Sequence, residues 1–242
     1  MREYKAETEN RVGFIRDILD AAGLKGIVYG NSGGKDSALV GILCKLACDD
    51  TVGLILPCGS KRNYQIDKAD AELVAAQFDI AARVIDLSEV RNALITSLDG
   101  ETQLTDSAAS NISPRLRMTA LYAVAASENR LVAGTGNRSE SYMGYFTKWG
   151  DGAHDFNPIA DLTVTEIYEF LRYLGAPDAI LSKAPSAGLF DGQTDEDEMG
   201  ITYQSIDEYL LTGIANERDK AIMDRYHAGS GHKRKMPIVY RA

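Results

Sequence analysis

The sequence predicts an open α/β fold: a parallel sheet with helices on both faces, followed by a helical C-terminal segment. Two observations predict it. Over the first two thirds, short apolar runs rich in β-branched residues alternate with segments of helical periodicity, which is how strands joined by crossover helices read. From Thr163 onward only the helical period remains.

The elements follow in order. Leu24 to Tyr29 is a first strand, and the loop Gly30 to Lys35 leads into a helix from Asp36 to Ala47 with Ala38, Leu39, Ile42, Leu43 and Leu46 on one side. Thr51 to Leu56 is a second strand, stopped by Pro57, which offers no amide proton to a ladder. Asp67 to Phe78 is an amphipathic helix and Ala82 to Leu87 a third strand. Pro114 stands near the start of a helix that runs to Ser127, and Arg130 to Ala133 is a fourth strand ending in Gly134-Thr135-Gly136-Asn137. Ser139 to Asn157 then shows neither period; a long unpatterned stretch in a compact domain is more often functional than idle. Helical pattern resumes at Thr163 to Leu174, Ser205 to Leu211 and Ala215 to Tyr226, and the basic tail from His227 is expected to be mobile without a partner.

Composition narrows the function. The 242 residues suit one domain, 1–242, with an ordinary globular balance of 45% hydrophobic and 25% charged residues. No apolar run approaches the roughly 20 residues of a membrane span, and the amino terminus lacks the pattern of a secretory signal, so no membrane association and a cytoplasmic location are expected. The net charge of −9 has the wrong sign for binding a phosphate backbone, which argues against nucleic acid. Cys44 and Cys48 lie one helical turn apart in an apolar pattern, and burial as small hydrophobes explains them.

Gly30-Asn31-Ser32-Gly33-Gly34-Lys35-Asp36-Ser37 lies between a strand and a helix, where backbone amides and the helix dipole converge on an anion. Gly33 and Gly34 let the chain wrap phosphate closely, while Ser32 and Ser37 add hydroxyl donors. Asp36 decides the chemistry: a carboxylate beside phosphate repels it unless a divalent cation stands between them, which predicts Mg²⁺. Lys35 precedes Asp rather than a hydroxyl residue, so this is not the nucleotide loop of kinases and motor ATPases. It resembles the Ser-Gly-Gly-x-Asp-Ser loop of the ATP pyrophosphatase family, which implies cleavage of ATP between its α and β phosphates.

A second constellation addresses the acceptor. Gly134-Thr135-Gly136-Asn137-Arg138-Ser139-Glu140 is followed by Gly144-Tyr145-Phe146-Thr147-Lys148-Trp149-Gly150-Asp151-Gly152. Thr135 ends a strand, where open α/β sheets bind ligands, and Glu140 offers a second hard oxygen ligand beside Asp36. Taken with Asn111-Ile112-Ser113-Pro114-Arg115, Gln193-Thr194-Asp195-Glu196 and His232-Lys233-Arg234, the motifs resemble, in order, those of ammonia-dependent NAD synthetases from Arg11 to Pro237.

The resemblance implies a Rossmann-like fold of the adenine nucleotide alpha hydrolase kind and ATP-dependent amidation of deamido-NAD with ammonia through an acyl-adenylate. It assigns ATP to the Gly30–Ser37 loop, Thr135 and Ser186, and Mg²⁺ to Asp36 and Glu140. Deamido-NAD falls to Arg115, Lys148, Asp155, His232 and Lys233, and Asp151 stands near the reacting carboxylate, where it acts with Asp36 in catalysis. A homodimer is also implied. Members that take nitrogen from glutamine carry an additional amidohydrolase domain, for which 242 residues leave no room, so free or partner-supplied ammonia is expected.

Each residue also has a plain alternative: Glu140 as a solvated helix-start carboxylate, Asp151 and Asp155 as turn formers, and Lys148, Arg115 and the basic tail as surface charge. The order of the motifs outweighs these alternatives. One departure stands out. Where the family often has Lys in Leu-x-Lys-Thr, this chain reads Leu162-Thr163-Val164-Thr165, so either Lys35 or Lys183 substitutes or ATP binds more weakly. Two rivals are a tRNA-modifying thiolase, which predicts a Cys-x-x-Cys pair and a basic surface that this sequence lacks, and a nucleotide sensor that binds without turnover.

Overall fold

The computed structural model describes residues 2–59, 66–183 and 194–240. Strands β1 (Gly26–Gly30), β2 (Thr51–Ile55), β3 (Ala81–Val84) and β4 (Arg130–Ala133) form a parallel sheet in the order β3-β2-β1-β4. The register pairs Val28 with Val52 on one side of β1 and Val28 with Val132 on the other. The chain therefore winds outward from β1 to β3, then crosses back to the far side of β1 for β4. A crevice opens at such a reversal, beyond the carboxyl ends of the strands. Gly30 ends β1 and Gly134 follows β4, so the two Gly-rich turns face that crevice.

Strand side chains alternate between two apolar layers, as the pleat requires. Ile27, Tyr29, Leu131 and Ala133 join one core with α2 (Lys35–Ala47), α8 (Val164–Leu174) and Ile15 and Leu19 of α1 (Tyr4–Ala22). Val28, Val52, Leu54 and Val132 point the other way, against Met118, Leu121 and Ala125 of α6 (Ile112–Glu128). Helices thus cover both faces, as expected. A third cluster joins Met143 of α7 (Arg138–Met143) and Val164 to Met199 of α10 (Asp195–Met199), Ile206 of α11 (Tyr203–Thr212) and Met223 of α12 (Glu217–Gly229). This is the helical C-terminal segment. No helix among the described residues is long and apolar enough to cross a membrane. Cys44 and Cys58 are buried and Cys48 partly so, all free.

Several elements depart from the sequence expectation. The first helix, α1, was not anticipated, nor was α4 (Ser88–Leu98), which buries none of its residues. The stretch from Ser139 opens inside α7, started by a capping box in which Asn137 and Glu140 exchange side-chain and backbone bonds. The first part of the tail is held, because α12 continues to Gly229 and a 3-10 turn over Gly231–Arg234 follows it, while Met236, Ile238 and Tyr240 beyond it are exposed. Within that turn Lys233 Nζ donates to the carbonyls of Gly144 and Phe146, both at 2.8 Å, and Arg234 donates to those of Ser141 and Tyr142.

Candidate active site

One cavity of about 900 Å³ occupies the crevice. Its first wall is the turn from β1 into α2. Gly34 is the N-cap of α2 and makes no side-chain cap, so the amides of the first turn are left for an anion. Gly33 holds a φ of +71°, and a Cβ there would lie 2.2 Å from the carbonyl oxygen of Asp67. Only glycine lets the loop pass that close to α3 (Lys68–Gln77). Asn31 fastens the same junction, its amide donating to the carbonyl of Ala71 at 3.0 Å. Lys183 closes it from the other side, its ammonium 3.1 Å from the Gly33 carbonyl, 2.9 Å from Asp67 and 2.7 Å from Asp70.

At the mouth of the loop two carboxylates share one buried ammonium. Lys35 Nζ is 2.8 Å from Asp36 Oδ2 and 4.0 Å from Glu140 Oε1. Asn137 spans both acids, its side-chain amide donating to Asp36 Oδ1 at 3.0 Å and its backbone amide to Glu140 Oε2 at 3.3 Å. Burial alone would push the Lys35 proton affinity down, but Asp36 and Glu140 raise it. Burial, and then the charge of Asp36, push the Glu140 carboxyl well above its usual range. Hard oxygen donors in an anionic pocket beside a phosphate loop fit Mg²⁺, which takes one or two protein carboxylates and completes its shell with water and substrate phosphate. Among the described residues no cluster of three or more His, Cys, Asp or Glu forms a complete metal cage.

The same cavity is lined by Asp151, whose Oδ1 accepts the amide of Thr147 at 3.0 Å. Asp151 is exposed along the cavity, yet the protein around it desolvates the carboxyl and raises its proton affinity despite the amide bonds it accepts. Lys233 lines the cavity as well. So does Arg117, a residue the sequence reading missed. It shares one face of α6 with Pro114, Met118 and Leu121 and donates to the Leu56 carbonyl at 2.9 Å. Burial pulls its proton affinity down, while Asp151 and Asp67 act to raise it. Its signal was a charge placed on the apolar stripe of an amphipathic helix.

The family model described as NAD synthase matches residues 7–237. The chain belongs to the NAD synthase family. A relative from Carboxydothermus hydrogenoformans, an NH(3)-dependent NAD(+) synthetase, is 46% identical over 239 residues, covering 98% of this chain and 97% of that one. Among solved structures, the NMN synthetase of Francisella tularensis has a TM-score of 0.94 and 38% identity. The NH3-dependent NAD synthetase of Campylobacter jejuni has a TM-score of 0.81 and 30% identity. Both cover the whole of each chain.

Within the NAD synthase frame, Gly30, Asn31, Ser32, Gly34, Lys35, Asp36, Ser37, Thr135, Glu140, Asp151 and Lys233 line the one cavity. Gly33 serves the loop from behind, and Ser186 lies outside the described residues. The remaining expected residues are not brought to the cavity wall. Arg115 is exposed and donates to Asn111, two residues from Arg117 and on a different face of α6. Lys148 donates to the His232 carbonyl at 2.8 Å and lies over the Trp149 ring, and neither Lys148 nor His232 lines the cavity. Asp155 caps the sheet edge, accepting the Val132 amide at 2.7 Å and the Tyr122 hydroxyl at 3.0 Å. Val164 is buried in the C-terminal cluster, whereas Lys183 reaches the phosphate loop.

Proposed function

We propose that this NAD synthase amidates deamido-NAD with ammonia at the expense of ATP, in one active site formed by a single domain over residues 1–242. The observation that carries the reading is the cavity itself: the phosphate loop, Asp36, Glu140, Asp151, Arg117 and Lys233 all line it.

In the first step a carboxylate oxygen of the nicotinate attacks the α-phosphorus of ATP, and the bond to the bridging oxygen of pyrophosphate breaks. The amides at the start of α2 and the hydroxyls of Ser32 and Ser37 hold the phosphates in line, so the protein acts by positioning and by neutralising charge. Asp36 and Glu140 would hold Mg²⁺, which when bound supplies positive charge for the departing pyrophosphate. Arg117 and Lys233 draw the anionic substrate toward the same side. In the second step ammonia attacks the acyl carbon, AMP leaves with the bonding pair, and Asp151 takes a proton from the incoming nitrogen; its raised proton affinity suits that task. Ser186 is the further ATP contact in this reading, and Arg115, Lys148, Asp155 and His232, which stand off the cavity wall of the single chain, would meet the part of deamido-NAD that extends past that wall, within a cytoplasmic homodimer.

The test is purified protein with ATP, Mg²⁺, ammonium and deamido-NAD, scored for NAD and AMP. Stoichiometric products are expected, and Asp36→Ala should lose at least about 100-fold in rate, as removal of an electrostatic catalytic group does. A second reading, favoured by the TM-score of 0.94 to an NMN synthetase, has nicotinate mononucleotide as the acceptor. Running the two acceptors in competition decides between them: a higher kcat/KM for the mononucleotide would replace deamido-NAD as the substrate while leaving the chemistry unchanged.

A further inference from the structure

The loop position between the second glycine and the aspartate carries a lysine, and its side chain is 6% exposed. Its ammonium is turned into the acid pair, 2.8 Å from Asp36 Oδ2 and 4.0 Å from Glu140 Oε1, with the Tyr203 ring centroid 5.7 Å away. A divalent ion bridging the same two oxygens would need each within about 2.1 Å. The ammonium and the ion therefore compete for one seat, and in a buried site their mutual repulsion is poorly screened.

We propose that Lys35 is a positioning residue whose ammonium fills the seat of the divalent cation between Asp36 and Glu140 while the nucleotide site is empty, so that the cation enters with ATP rather than ahead of it. The proposal rests on the reading of Asp36 and Glu140 as the metal ligands. Without nucleotide, Lys35 already offsets part of the charge of the pair, and a divalent ion gains little by entering. The triphosphate of ATP adds enough negative charge for both cations to remain. Asn137 holds both carboxylates independently of Lys35, through its side-chain amide and its backbone. The seat therefore keeps its shape when the ammonium withdraws toward the face of Tyr203, a favourable resting place for a cation.

Manganese binding, followed by electron paramagnetic resonance, tests this without reference to turnover. The wild-type protein should bind Mn²⁺ weakly alone and much more tightly with the non-cleavable α,β-methylene analogue of ATP. Lys35→Met should bind Mn²⁺ without nucleotide at least about tenfold more tightly than wild type, because an opposing charge has been removed. Adding Glu140→Gln to it should erase the gain, and Lys35→Arg, which keeps the charge, should behave like wild type. If Lys35→Met does not fold by circular dichroism, Lys35→Gln makes the same comparison. Unchanged or weaker nucleotide-free binding in the folded neutral variant overturns the proposal. Failure of the underlying ligand assignment reads differently: Asp36→Asn, with Lys35 intact, would then bind Mn²⁺ as well as wild type in the presence of the analogue.

Discussion

A methyl group at Gly144 would lie 2.0 Å from the Cβ of Ser230 and sit on a backbone with a φ of +68°. Gly144 is both the C-cap of α7 and the point where the end of α12 docks. Gly144→Ala should therefore cost about 2–4 kcal/mol, combining left-handed strain with overpacking. It should also raise KM for the acceptor more than for ATP, since Lys233 leaves its place on the Gly144 carbonyl. Urea denaturation and steady-state kinetics check the two halves. At this scale the sequence was most legible where chemistry is written in the residue types themselves, as in Asp36, Glu140 and the phosphate loop. It was least legible where geometry selects between neighbours. Arg115 and Arg117 look alike in a string, but only the second lies on the cavity face of α6.

Among the elements, the strands and the helices flanking them were legible because their apolar period records the sheet. The first helix was not, because what docks it is remote in sequence. Arg11, 8% exposed, makes paired bonds of 2.7 and 2.9 Å to Asp161, while Tyr4 donates to Glu169 at 2.6 Å. A similar tie links the two edge strands: Glu128 at the end of α6 binds Arg83 of β3 and Arg130 of β4. Those two arginines hold its carboxyl down at about 2, against an ordinary value of about 4.3. A depressed folded-state value stabilises the fold above the unfolded value and is lost as pH falls toward the folded one. Glu128→Gln should therefore lower stability at pH 7 by no more than about 1 kcal/mol, since solvent screens the pair. The gap should close below pH ~2, where the wild-type carboxyl is also neutral. Chemical denaturation of both proteins across that range measures it.

At the level of the whole molecule, the cavity joins residues more than 100 positions apart, which no local pattern announces; Lys35 and Glu140 are one such pair. The same scale leaves a face unaccounted for. All four residues of β3 are exposed, α4 buries no residue fully, and Val84, Val90 and Leu94 stand uncovered on β3 and α4. An amphipathic helix is held by burying its apolar side, and α4 does so only in part, through Ile95 and Leu98. If the proposed homodimer forms, this exposed apolar surface is where a second copy of the chain is expected to pair, since it would cover it symmetrically. Sedimentation equilibrium should give twice the monomer mass. Replacing Val90 and Leu94 together by Glu, each change placing a charge into the apolar contact, should return the protein to the monomer while circular dichroism stays unchanged, because neither side chain supports the core of its own chain. A wild-type protein that sediments as a monomer at micromolar concentration would rule this interface out.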